Sequence, residues 1–168
     1  MKDDADCALH FDMNDESINA IDAYEKKIAD KTAQLADYIN LMAVYFVIQD
    51  YGYNVDLDIP EHYFDVGLTR IREIPAQIKE RLGESDEANF WRDYALFIVL
   101  DSPVDEAVWI RYIQSGSTLV PLIAIGLHRS EGEFAAKTAE LARSIANEDT
   151  CRTRYIESIL SSGRAMLD

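Results

Sequence analysis

The chain has 168 residues, 31 acidic against 16 basic side chains, and a formal net charge of −15. That length predicts one domain, and a hydrophobic share of 48% is enough for an ordinary core, which excludes wholesale disorder. The acidic excess provides no basic stripe for phosphates, so direct binding to nucleic acid or to an anionic membrane is not expected.

In chain order, residues 1–13 are acidic and show little helical periodicity, which predicts a frayed, flexible tail ahead of a helical domain over 14–168. From Asn14, Ile21, Ile28, Leu35 and Met42 recur every seven residues, with Tyr24, Tyr38 and Tyr45 three residues further on. Such a stripe predicts an amphipathic helix. Continued to Gln49, it forms one long N-terminal helix of about 50 Å at ~1.5 Å per residue. Lys31 interrupts the seam, which favours a core-facing bundle helix over a free coiled coil. Met42–Ile48 is apolar on nearly all sides and is its expected buried half.

Tyr51-Gly52 reads as the stop of that helix. Pro60 reads as a first-turn proline opening a second helix, with Tyr63, Phe64, Leu68 and Ile71, and Pro75 predicts a kink or split in it before Ile78 and Leu82. Ser85 or Asp86 begins a third helix with Phe90, Trp91, Tyr94, Phe97 and Ile98. Ser102-Pro103-Val104-Asp105 begins a fourth, with Trp109 and Tyr112, which stops at Gly116. The aromatic stripe on these two helices reads as core. Leu119–Leu127 reads as a central helix, Ser130 with Glu133 as a capping box for the next, and Asp149 or Thr150 as the cap of a last helix ending near Gly163. The expectation is an all-α, single-domain bundle of six to seven helices.

Two cysteines, Cys7 and Cys151, make no CxxC pair and read as independent free thiols, one disulfide between them being the alternative. The first residues contain no apolar signal segment, and the longest apolar run, Leu119–Leu127, is half of a membrane span. A soluble, cytoplasmic protein is expected, or a periplasmic one if a signal peptide has been removed.

No phosphate-cradling glycine loop, HExxH or GxSxG occurs. Asp12, Asn14 and Glu16 alternate like the opening of a calcium loop, but Ser17 and Ala23 stand where glycine and glutamate are required. Cys7 and His10 lack a second pair for zinc, and Asp56, Asp58, Glu61 and Asp65 have no helical ligand spacing. The expectation is therefore a non-enzymatic protein without metal or cofactor.

One regional feature carries a functional expectation. From Thr32 to Thr69, 38 residues contain no lysine or arginine. Within them Asp50, Asp56, Asp58, Glu61 and Asp65 alternate with Tyr51, Tyr53 and Tyr63. Tyrosines give large contact areas at low entropic cost, and carboxylates steer a cationic partner. The eight residues are the candidate partner-binding set, read against the plainer alternative that Tyr63 is core and the acids serve solubility. A basic cluster of Lys137, Arg143, Arg152, Arg154 and Arg164 reads as an anion site, an offset for acids on the first helix, or the mate of the acidic face in a homodimer.

Small acidic helical domains without catalytic motifs have the composition usual for bacterial immunity proteins, which neutralise a toxin or effector by covering its cationic cleft. An inhibitor of that type is the expectation. The alternatives are a regulatory or chaperone-like adaptor that self-associates, and a DNA mimic, disfavoured because Lys26, Lys27 and Lys31 break the acidic face of the first helix.

Overall fold

The computed structural model describes residues 5–49, 59–125 and 133–165. Among them are nine helices and no strand: α1 (Ala5–Met13), α2 (Ser17–Ala29), α3 (Leu35–Val47), α4 (Glu61–Leu82), α5 (Asp86–Leu100), α6 (Glu106–Ser115), α7 (Leu122–Ile125), α8 (Glu133–Ile145) and α9 (Cys151–Ala165). The all-helical class is as expected from the sequence. The helix count is not, and most of the difference lies at the N-terminal end.

The single long N-terminal helix does not form. Its span divides into α2 and α3, and residues 5–13, expected as a frayed tail, form α1. Both breaks are Schellman-type stops without glycine. At the end of α1, Asp15 has φ 60°, the Glu16 N–H donates to the Phe11 carbonyl and the Asp15 N–H to the Asp12 carbonyl. At the end of α2, Lys31 has φ 60°, the Thr32 N–H donates to the Lys27 carbonyl and the Lys31 N–H to the Ile28 carbonyl. These are the 6→1 and 5→2 bonds that satisfy a helix's last carbonyls. The heptad stripe still marks core: Ile21, Tyr24, Tyr38, Met42 and Tyr45 are all buried. Leu35, taken off the seam by the turn, is 41% exposed.

A left-handed conformation strains any residue with a Cβ, by roughly 1–2 kcal/mol. The exposed Lys31 side chain offers nothing in return, while its carbonyl accepts from Arg81 Nη2 at 2.9 Å, a bond any residue preserves. Lys31→Gly is therefore expected to raise stability by about 1 kcal/mol. Urea unfolding checks this: an increased midpoint supports the assigned stop, and a decreased one contradicts it.

Helix α3 is the axis of the bundle. All its residues from Tyr38 to Val47 are buried, and it packs against α2, α4, α5 and α9. Gln34 and Asp37 form a capping box at its start, and Asp37 also pairs with Lys27 of α2, which fixes the α2–α3 hairpin. Phe46 lies at the middle of an aromatic cluster, with ring centroids 6.0 Å from Trp91, 5.5 Å from Tyr94 and 5.1 Å from Tyr155. Phe90 and Trp109 extend that cluster to α6, with centroids 5.1 Å apart. Of the aromatic stripe on the third and fourth predicted helices, Phe90, Trp91, Tyr94 and Trp109 are thus core, Tyr112 is partly buried and Phe97 is exposed.

Helix α4 continues through Pro75, so of the kink or split expected there the split does not occur. Proline leaves the Ile71 carbonyl without its helical donor. Yet Ile71, Ile74, Pro75 and Ile78 are all buried together, and that burial holds the helix. Ser85 caps α5, its Oγ accepting from the Ala88 N–H at 3.3 Å, whereas α6 is capped by Asp105 and not Ser102. Of the expected central helix over Leu119–Leu127, the described residues up to Ile125 show the short α7, with Val120, Leu122, Ile123 and Ile125 buried, and residues 126 and 127 lie outside them. Gly116, at φ 74°, ends α6 as predicted. The Tyr51-Gly52 stop and the Ser130 capping box lie outside the described residues. No helix among the described residues is long and apolar enough to cross a membrane.

Candidate functional site

Of the eight candidate partner-binding residues, Glu61, Tyr63 and Asp65 fall on the first turns of α4. Asp50, Tyr51, Tyr53, Asp56 and Asp58 lie outside the described residues. Glu61 and Asp65 are exposed, four positions apart and hence on one side of the helix, with the half-buried Tyr63 between them in sequence.

Tyr63 connects this helix start to α2. Its hydroxyl donates to Asp22 Oδ1 at 3.0 Å, and its ring lies 4.2 Å from that of His62. Burial and the Asp22 carboxylate raise its pKa above the usual tyrosine value, so it stays a neutral donor at physiological pH. Asp22, itself exposed, thus lies beside Tyr63 at the start of α4, whereas Glu61 and Asp65, two positions either side of Tyr63, project from the other side of that helix. Nothing in local sequence pointed to Asp22, because it comes from a different helix some forty residues earlier.

Beneath this surface the first cation after the basic-free stretch is already used. Arg70 grips Glu25 of α2 with Nε at 2.7 Å and Nη2 at 2.8 Å, while Nη1 reaches Glu73 at 2.8 Å. Tyr45 of α3 adds a hydroxyl to Glu25 at 3.0 Å. This two-pronged geometry ties α2, α3 and α4 together. It also commits the Arg70 charge to carboxylates of the fold, so the charge does not offset the outer acids.

The flanks of segment 50–58 are pinned in the same region. Gln49, its preceding residue, donates from Nε2 to the Phe64 carbonyl at 3.1 Å. Gly67 makes that approach feasible: a Cβ there would lie 2.6 Å from Gln49 Nε2 and 3.3 Å from Tyr45 Cδ1. The chain thus leaves α3 beside the helix start that carries Tyr63.

In the basic cluster at the other end of the chain, two arginines are paired with acids of the same molecule, and the Arg164 side chain lies outside the described residues. Arg152 pairs with Glu87 at 2.9 Å and Glu148 at 2.8 Å. Arg154 pairs with Asp15 at 2.7 Å and Asp149 at 2.9 Å, and donates to the Asp12 carbonyl at 2.8 Å. Lys137 donates to the Ile113 carbonyl at 3.0 Å, and Arg143 to the Ala139 carbonyl at 3.2 Å. Of the three readings of this cluster, the offset of N-terminal acids describes Arg154 directly.

Asp12, weighed in the sequence as the start of a calcium loop, is instead a buried structural acid. Oδ1 accepts the Cys151 N–H at 2.6 Å, at the start of α9, and Oδ2 accepts the Tyr24 hydroxyl at 3.0 Å. Asn40 Nδ2 donates in turn to the Tyr24 oxygen at 3.3 Å. Thr150 and Thr153 complete this helix start with reciprocal bonds, 2.9 Å from the Thr150 N–H to Thr153 Oγ1 and 3.3 Å in return. A carboxylate at this position also meets the positive end of the helix dipole. Cys7 and Cys151 are both free thiols, the first exposed and the second buried. Among the described residues, no group of three or more His, Cys, Asp or Glu side chains is placed to hold a metal.

No family model, no curated protein and no solved structure matches this chain. A functional reading rests on the surface chemistry alone.

Proposed function

We propose that this protein is a non-catalytic inhibitor of the immunity or antitoxin type, which binds a basic protein and covers its cationic cleft. The observation that supports the reading is the set of exposed carboxylates about the start of α4, with Asp22 bound to the Tyr63 hydroxyl on one side of the helix and Glu61 and Asp65 on the other. Adjoining them in sequence are Asp50, Tyr51, Tyr53, Asp56 and Asp58, in a stretch free of lysine and arginine. Such a region sets tyrosines beside exposed carboxylates. The carboxylates steer a cationic partner and raise its association rate, and the tyrosines hold it once docked. Inhibition is by occlusion, with no bond made or broken. Arg152 and Arg154 are engaged with acids of the same chain, which leaves fewer cations of the basic cluster to mate with a second copy's acidic face.

The two roles separate kinetically. Asp56→Lys is expected to slow association with the basic partner and to flatten its salt dependence. Tyr53→Ala is expected to accelerate dissociation, on the order of 10-fold or more, with little change in association. Surface plasmon resonance at two salt concentrations reads both constants. If neither substitution changes affinity, this face is not the binding surface.

A further inference from the structure

We propose that α1 is a latch that opens as a unit ahead of global unfolding, with the Asp12 carboxylate as its catch over the start of α9. The inference is independent of the inhibitor reading and rests on how few side chains of this helix are fully buried, although it packs along its neighbour α2. At nine residues, α1 is shorter than the ~12–15 an isolated helix needs in water, so it is helical only while docked. Its buried side consists of Ala8 and Asp12, four positions apart, with Phe11 partly buried beside them. Leu9 and Met13 are 40% and 45% exposed, and Cys7 and His10 face solvent. Among the described side chains of α1, the fully buried apolar contact is thus the Ala8 methyl group, with Phe11, Leu9 and Met13 only partly covered.

The polar grip is concentrated at the C-terminal end of the helix. Asp12 ties it to α9 through the Cys151 N–H and to α2 through the Tyr24 hydroxyl, and Arg154 holds the Asp12 carbonyl and the Asp15 carboxylate. Two features of the closed state work against this grip. A carboxylate is buried, and the joint to α2 runs through Asp15 in the left-handed region, strained for a residue with a Cβ. No ring of the aromatic cluster around Phe46 comes from α1, so opening leaves that core intact. Opening brings the start of α9, with Cys151, into water. Such a sub-global opening has a free energy and a denaturant slope below those of unfolding.

Cys151 is a built-in reporter, being buried and bound through its N–H to Asp12 of α1. In the full chain carrying Cys7→Ser it is the sole thiol, and iodoacetamide, being uncharged, reaches it without repulsion from the acidic surface. The thiol loses its proton to solvent, and the thiolate displaces iodide to leave a thioether, counted by mass spectrometry. The expected result is alkylation in the absence of urea at least about 10-fold faster than global unfolding allows, with a urea slope well below the equilibrium unfolding slope. Asp12→Ala in the same background is expected to accelerate alkylation a further 10-fold or so, and Asp12→Asn, which keeps an acceptor for Cys151, much less. A urea slope equal to that of global unfolding in the parent chain overturns the latch whatever the variants do. A shallow slope that Asp12→Ala does not move places the opening elsewhere and overturns it too.

Discussion

Phe46→Ala is expected to destabilise the protein by about 3–5 kcal/mol, the range for removing a large buried aromatic side chain. Phe46 is 1% exposed and lies where α3 meets α5 and α9, its ring against Trp91, Tyr94 and Tyr155. The edge-on arrangement with Tyr155, at 89°, is the favourable quadrupole geometry for an aromatic pair. The surrounding rings are themselves anchored: the Tyr94 and Tyr155 hydroxyls are 2.9 Å apart, and the Trp91 indole N–H reaches Glu87 at 3.4 Å. They are therefore poorly free to collapse into the space, which places the loss high in that range. For a chain of this size the melting temperature is expected to fall on the order of 10 °C or more. Calorimetry with circular dichroism measures it, and a fall of only a degree or two would remove α3 from the centre of the bundle.

Asp12 is expected to give the second large effect, through hydrogen bonding. Asp12→Ala leaves the Cys151 N–H and the Tyr24 hydroxyl without acceptors in a buried place, at roughly 1–3 kcal/mol for each stranded group. Relief of the buried charge offsets part of this, so a net loss of about 2–4 kcal/mol is expected. Asp12→Asn behaves differently, because its carbonyl oxygen still accepts from Cys151. Tyr24 can then accept from the new amide and donate to Asn40 Oδ1, an atom that otherwise lacks a partner. That variant is expected to lie within about 1 kcal/mol of the parent at neutral pH.

The same residue sets a pH dependence whose sign differs from that of an ordinary ion-paired aspartate. Burial raises the Asp12 pKa, against the lowering effects of the Cys151 N–H, Tyr24, Arg154 and Arg152. A carboxyl with a raised pKa in the folded state binds its proton more readily there than in the unfolded chain. Its contribution is therefore more favourable below the raised value and is lost as pH rises through it. As pH falls from neutral toward the ordinary aspartate value of about 4, the parent is expected to gain stability relative to Asp12→Asn. Urea midpoints of the two proteins across that interval give the comparison. A relative loss by the parent would mean that the hydrogen bonds outweigh the burial.

Hydrophobic spacing made the class of fold legible, because an apolar face repeats whether or not the helix beneath it is continuous. That same property concealed the breaks in the N-terminal stripe. Asp15 and Lys31 stop their helices in the left-handed conformation without the glycine that usually signals such a stop. Residues 5–13 read as a tail because their anchorage is mostly one buried acid, whose partners Tyr24 and Cys151 lie far away in sequence. Pro75 read as a break because a helix-breaking residue carries a local signal, whereas the burial of Ile71, Ile74 and Ile78 around it is a tertiary one. In the candidate surface, the run without basic residues was legible, as were Glu61, Tyr63 and Asp65. The contribution of Asp22 was not, since it depends on how α2 lies against α4.

The central claim is that an acidic, aromatic face captures a basic protein by electrostatic steering. The most direct test takes a basic protein captured stoichiometrically by the full chain in a pull-down from its host, and measures their association rate across ionic strength for the parent and for an Asp22→Lys, Glu61→Lys, Asp65→Lys triple variant. The account predicts a parent association rate that falls steeply with salt, and a variant at least about 10-fold slower at low salt with its salt dependence largely removed. A rate indifferent to salt and unchanged in the triple variant would contradict it.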